Sequence, residues 1–373
     1  MLAAGVALRA ADRQATAQPV ASRAVPEGAT GKQIFEAACA TCHALDGKGS
    51  PKSVVGFTPL TNGHDLPDFT DCPTNTVEPL ADWVAVVHEG GPIRGLDRHM
   101  PSFGDALTID EIERAVKYLW AFCTDPAWPR GDLNFPRAFF TEKAFPESES
   151  VITTAIQPSG AKSVGNEIVY EHRIGALGQY EVMVPVDFHA ADEGGSWSQG
   201  LGDIELALRR TFYHSYDHGN IFAAGTAVTL PTGKEDQGLG NGYTIVEPFA
   251  MFDQALGANG YLQLHGGIEI PTNHALGDNE SYLRTALGYS LAQDRGFGRS
   301  WAPAVEVLVA KPQHSAAEWD VVPQVQMSLS KLQHILLGVG VRVPLNERDE
   351  RKPQFMTYFL WDWFDGGLTQ FWK

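Results

Sequence analysis

The sequence predicts two units of different class: a small all-α N-terminal domain, followed by an all-β antiparallel transmembrane barrel of about twelve strands. Three observations predict this division. All four cysteines of the 373-residue chain lie at or before Cys123. Two amphipathic segments with helix-capping signatures occupy the same stretch. Beyond about residue 150 hydrophobicity alternates with a period of two, and no helical period intervenes. The expected divisions are a signal-like or disordered N-terminus at 1–26, a helical domain at 27–125, a proline-rich linker at 126–150 and the barrel at 151–373.

Lys and Arg number 28 against 45 Asp and Glu, a formal charge of −17. That field repels phosphate backbones, so no nucleic-acid partner is expected. The mean hydropathy of −0.17 is ordinary for a soluble protein, but alternating strands average to the same value. No run approaches the ~20 apolar residues of a spanning helix. At the N-terminus, Leu2 to Leu8 is a short apolar run and Ala15-Thr16-Ala17 looks like a small-residue cleavage site. The segment to about Ala21 reads as a truncated or misassigned signal peptide.

Cys39-Ala40-Thr41-Cys42-His43 is a C-x-x-C-H sequence. Two thiols at this spacing can bond one porphyrin edge while the adjacent imidazole reaches iron, so one covalently bound haem c is the expected cofactor. A redox C-x-x-C wants a βαβ context and a zinc half-site wants a second close ligand pair, and the sequence offers neither. Covalent haem is attached outside the cytoplasm, where Cys72 and Cys123 are expected to pair as a disulfide rather than persist as two buried thiols.

Thr30 caps an expected helix carrying Ile34, Phe35 and Ala38 on one face, which runs into the haem motif. Thr108-Ile109-Asp110-Glu111 is a capping box for a second helix ending near Phe122, with Ile112, Ala115, Val116, Leu119 and Trp120 on its apolar face. Asp82 to His88 reads as a short third helix, with Trp83 as a core residue. Met100, in the turn-rich Arg98-His99-Met100-Pro101-Ser102-Phe103, is the expected second axial ligand to iron. His64, His88 and His99 are the competitors, and any of them would give bis-histidine iron of lower potential. Gly31 and Phe35 before the haem motif, Gly47 and Gly49 after it, Met100-Pro101 and the terminal helix with Tyr118 together resemble a class I monohaem cytochrome c over about residues 27–125. The resemblance implies His43 and Met100 on the haem iron.

From Asp125 to Ser150, Pro126, Pro129, Pro136 and Pro146 interrupt aromatic and charged residues, as in a stiff, partly packed connector. Strands then follow. Asp203 to Leu208, Tyr261 to Ile270, Val305 to Val309 and Ile335 to Leu345 all alternate. Pro231, Pro271 and Pro344 end strands with similar chemistry and precede polar loops. An even strand number puts both chain ends on one side and these loops on the other. Alternation alone does not tell a membrane barrel from a soluble one, whose apolar face points inward. Strand length, aromatics near strand ends (Phe212, Tyr213, Tyr243, Phe252, Tyr282, Trp301, Trp319) and a crowded aromatic C-terminus favour the membrane barrel. Lys373 after those aromatics, Arg210 in phase with an apolar face and Pro323 inside a strand stand against it.

The strand ending Val228-Thr229-Leu230-Pro231-Thr232-Gly233, after Gly202-Asp203-Ile204-Glu205-Leu206, resembles the outer-membrane channel family named after the meta-pathway of phenol degradation, over about residues 165–373. The whole resembles, in architecture, the cytochrome–porin fusions of iron-oxidising bacteria. It implies one-electron transfer at the periplasmic face of the outer membrane or across it, with a periplasmic electron carrier or oxidoreductase and outer-membrane lipid as partners. The alternatives are a channel for small hydrophobic or phenolic solutes with an accessory redox domain, and a soluble two-domain enzyme, which would lie in the periplasm. No catalytic residues are assigned, because His214, His218, His265 and His274 are too scattered in sequence to name a metal site.

Overall fold

The computed structural model describes residues 25–50, 66–191, 194–293 and 296–362. The expected signal-like segment up to residue 24, His64, and the C-terminal aromatics from Trp363 to Trp372 with Lys373 lie outside the described residues.

The helical domain begins with α1 (Gly31–Ile34), capped by a reciprocal Thr30–Gln33 box. A π-helical turn, Phe35–Cys39, joins it to α2 (Ala40–His43). Then come α3 (Cys72–Thr76), α4 (Leu80–Glu89) and α5 (Ile109–Trp120), the last opening on the Thr108–Glu111 capping box. α5 is regular only to Trp120, short of the expected Phe122, because Ala121 to Cys123 close it with tighter backbone bonds. α1 crosses α5 at Gly31, where a Cβ would stand 2.0 Å from the Arg114 carbonyl oxygen. Ile34, Phe35, Ala85, Ile112 and Val116 form the core there, and Cys72 and Cys123 are joined by a disulfide.

Fourteen strands follow: β1 (Glu149–Gln157), β2 (Ser163–Ile174), β3 (Gly178–Ala190), β4 (Trp197–Leu201), β5 (Ile204–Ser215), β6 (Asn220–Leu230), β7 (Ile245–Leu256), β8 (Gly260–Pro271), β9 (Glu280–Tyr289), β10 (Leu291–Ala292), β11 (Ser300–Pro312), β12 (Glu318–Ser328), β13 (Ile335–Pro344) and β14 (Gln354–Asp362). Among the described residues, β4 pairs only with β3 and β10 only with β11. The other twelve close a ring: β9 pairs with β11, and β1 pairs with β14 from Glu149↔Asp362 to Ile156↔Phe355. The fold is therefore a closed antiparallel twelve-strand barrel, as the sequence predicted.

Polarity answers the question that alternation left open. On β5, Leu206, Leu208 and Phe212 are exposed on the outside, whereas Arg209 and Thr211 are buried inside. β9 and β11 repeat this, with Leu283, Leu287, Val305 and Val307 outward and Ala286 and Glu306 inward. The apolar face points outward and the charged face inward, which is the inverse of a soluble barrel. Arg210 shares the outward face, toward the end of β5 nearer the helical domain. Pro323 also points outward, and the β12–β13 ladder passes over it from Val321↔Val343 to Gln324↔Gly340, since proline has no N–H to offer.

The helical domain sits at the end of the barrel where β1 begins and β14 ends. Here the turns are tight, with Gly175, Gly219 and Gly257 at positive φ. Three near-end turns hold the domain. Tyr216 packs edge-on against Trp120. Phe297 is buried in the helical core, its ring stacked on His88 and its carbonyl accepting from Arg94. His334 contacts Glu78 at 2.9 Å. Pro231, Pro271 and Pro344 all lie at the opposite end, as the even strand number requires.

The segment expected as a partly packed connector, 126–150, carries residues 133–147 into the barrel. Phe135 stacks on Tyr261, Phe139 packs edge-on against Tyr358, and Leu133, Ala144 and Phe145 share a cluster with Ile221, Phe249 and Met251. No local sequence pattern announces this, because the partners are inward residues of distant strands.

Candidate haem site

Cys39, Cys42 and His43 occupy one helical stretch, the first at the end of the π-helical turn and the others in α2. The π-turn widens the helix just before the motif. The chain then leaves sharply: Ala44 has φ 58°, Gly47 and Gly49 have positive φ, and Gly49 N and Ser50 N donate to the carbonyls of His43 and Cys42 at 3.0 and 2.8 Å. Both thiols are free and half-buried. Burial, reinforced by the neighbouring Cys42, pushes the Cys39 thiol up to about 11, so it stays protonated.

The His43 ring lies 5.0 Å from that of Phe69, which meets Trp83 of α4 edge-on at 5.6 Å. Burial pushes the imidazole down to about 4, leaving it neutral with a lone pair available to a metal. His43 Nδ1 and Trp83 Nε1 are buried with no hydrogen-bond partner among the described residues. Two free thiols, a neutral imidazole beside the Phe69 ring and unsatisfied buried polar atoms are a donor set that fits a covalently held haem.

Met100 lies in a loop packed on the C-terminal end of α4. Its amide donates to the Asp97 carbonyl, and its own carbonyl accepts from Gly91 N at 3.0 Å. Phe103 N and Gly104 N bond the Val87 and His88 carbonyls at the end of α4. Glycine is required at position 91, where a Cβ would stand 2.2 Å from the Asp97 carbonyl oxygen. Of the histidine competitors, His88 Nδ1 is 2.8 Å from Glu89 with its ring against Phe297, and His99 Nδ1 is 2.7 Å from Asp97. Both contacts are made through Nδ1.

The barrel histidines do not converge. His265 is buried inside against Tyr282, His214 and His218 lie at the near end, and His274 lies in a far-end loop. The group of metal-capable side chains found among the described residues is one the sequence reading missed, Glu147, Glu149 and Glu171. Arg137 and Lys143 already neutralise it: Arg137 reaches Glu149 and Glu171 at 2.8 Å each, and Lys143 reaches Glu147 at 2.6 Å.

Residues 26–119 match the family model described as cytochrome C oxidase, cbb3-type, subunit III. The N-terminal region is a cytochrome c domain. No curated protein matches the chain. Among solved structures, the COG4313 outer membrane channel from Pseudomonas putida F1 aligns at 13% identity and a TM-score of 0.43, over 61% of this chain and 99% of that one. The NanC porin aligns at 9% identity and 0.41, over 57% and 98%, and the KdgM porin solved with disordered oligogalacturonate at 9% and 0.38, over 58% and 99%.

Proposed function

We propose that this chain is a monohaem c-type electron carrier fixed to the outer membrane by its barrel, with the haem domain on the periplasmic side. The observation that carries the reading is the placement of the cytochrome c domain over one mouth of a barrel whose outer face is apolar. Leu208 is 63% exposed and Leu287 55% exposed on that face, and an apolar belt of this extent is stable against lipid rather than water.

Bound haem supplies one-electron chemistry at its iron. Cys39 and Cys42 would hold the macrocycle edge through their thiol sulfurs, and the neutral His43 imidazole and the Met100 sulfur would be the protein ligands to its iron. Methionine opposite histidine raises the reduction potential relative to two histidines. Phe69 and Trp83 exclude water on the His43 side. The partner is a soluble carrier or oxidoreductase on the same side of the membrane, because the domain sits at the mouth and not in the lumen. The barrel cannot enclose it, since a ~100-residue domain has a radius of gyration of ~13 Å and even barrels of 16 to 18 strands leave only a channel for water and small solutes.

A membrane-impermeant reductant tests the reading. Added to intact cells it should leave the haem oxidised, and after the outer membrane is permeabilised it should reduce it. Equal reduction rates in both cases would show that electrons cross the barrel.

A further inference from the structure

Segment 133–147 enters the barrel from the near end and leaves by the same end into β1. Its backbone is gripped by side chains of the wall. Glu306 of β11 accepts from three successive amides, Phe139, Phe140 and Thr141, at 2.8 to 3.0 Å, and from the Thr141 hydroxyl. Gln324 donates to the same carboxylate at 2.7 Å. Asp253 accepts from Ala144 N, Gln326 from Arg137 N and Gln179 from Glu147 N. Arg137 ties the loop to β1 and β2 through Glu149 and Glu171. Wall carboxylates of an open pore would be hydrated, yet Glu306, Asp253 and Glu171 are all 0% exposed. The seated loop excludes water from these three carboxylates.

We propose that residues 133–147 are a resident seal, which makes the barrel a closed anchor rather than a solute channel. Ions, small solutes and diffusible redox mediators are excluded while the loop is seated. The grip falls mostly on main-chain amides, so it depends on the wall carboxylates Glu306 and Asp253 more than on the identity of the loop side chains. This inference rests on the membrane placement proposed above.

The test is planar-bilayer conductance of the full-length haem-loaded protein, paired with cysteine labelling. The wild type should insert and show no steady open level. The Glu306→Ala/Asp253→Ala variant should show open steps. Independently, Ala286→Cys places a small thiol on the inward, fully buried face of β9. A membrane-impermeant maleimide should label it about 10-fold or more slowly than an exposed thiol, because labelling waits on local opening. This second variant decides the matter where the first does not insert. A steady open level in the wild type, or labelling of Ala286→Cys at the rate of an exposed thiol, would overturn the seal. Recovery of the haem protein in the soluble fraction would instead overturn the membrane placement.

Discussion

At the scale of single residues, the Cys72–Cys123 pairing was legible in the sequence and is formed in the structure, whereas His43 and Met100 as haem ligands are proposed from two local patterns, C-x-x-C-H and a methionine-proline loop. Met100→Ala should lower the reduction potential and abolish the methionine–iron charge-transfer band, and His88→Ala or His99→Ala should leave both unchanged. Visible spectroscopy with redox titration checks this. The disulfide closes a separation of 51 residues, so a Cys72→Ala/Cys123→Ala variant should lose about 4 kcal/mol in the chain-entropy account, read from denaturant unfolding of the haem domain. Asp132 was not legible. It lies in the turn Gly131–Leu133 and accepts from Leu80 N at 3.1 Å, capping the uncapped start of α4 from 52 residues away. Burial pushes its carboxyl up to about 6. The folded state therefore holds this proton more tightly than the unfolded one. The resulting stability is full below about 4 and lost as pH rises through about 6. Asp132→Asn should remove this component, so the difference in unfolding midpoint between pH 4 and pH 7 should change relative to wild type by that amount.

At the scale of elements, the strands were read from alternation and the helices from their caps, and both follow from residues near in sequence. The threading of 133–147 was not legible, since Glu306, Asp253 and Gln179 recognise it through backbone amides that leave no trace in side-chain type. The docking of the domain was equally hidden, because Phe297 in a barrel turn looks like any exposed aromatic. Arg94 is 4% exposed, pairs with Asp82 at 2.7 Å and donates to the Phe297 carbonyl. Arg94→Ala leaves those acceptors buried without their cation, at a cost of about 3 to 5 kcal/mol. Limited proteolysis should then cut near residues 126–132 and release a haem fragment from an intact barrel, at a rate well above wild type. The outward face makes a further prediction. Leu287→Arg should destabilise a lipid-embedded barrel, by an amount that rises with depth to about 2 to 4 kcal/mol at the bilayer midplane. Urea unfolding in lipid vesicles measures this.

At the scale of the whole molecule, the two classes read from the sequence are joined more closely than a connector implies. One segment caps α4, packs inside the barrel and leads into β1, so the haem domain, the seal and the barrel are linked through one stretch of chain. Acidic composition and ordinary hydropathy said little about this arrangement, because an inverted barrel hides its charges inside and shows leucine to lipid. The central claim is that the haem carrier is held in the outer membrane by its own barrel. An absorbance spectrum of separated membrane and soluble fractions tests it most directly. A reduced c-type spectrum with a methionine–iron charge-transfer band in the oxidised form, retained in the outer-membrane fraction after high-salt and carbonate washing, is the predicted result. The same spectrum recovered in the soluble periplasmic fraction would contradict it.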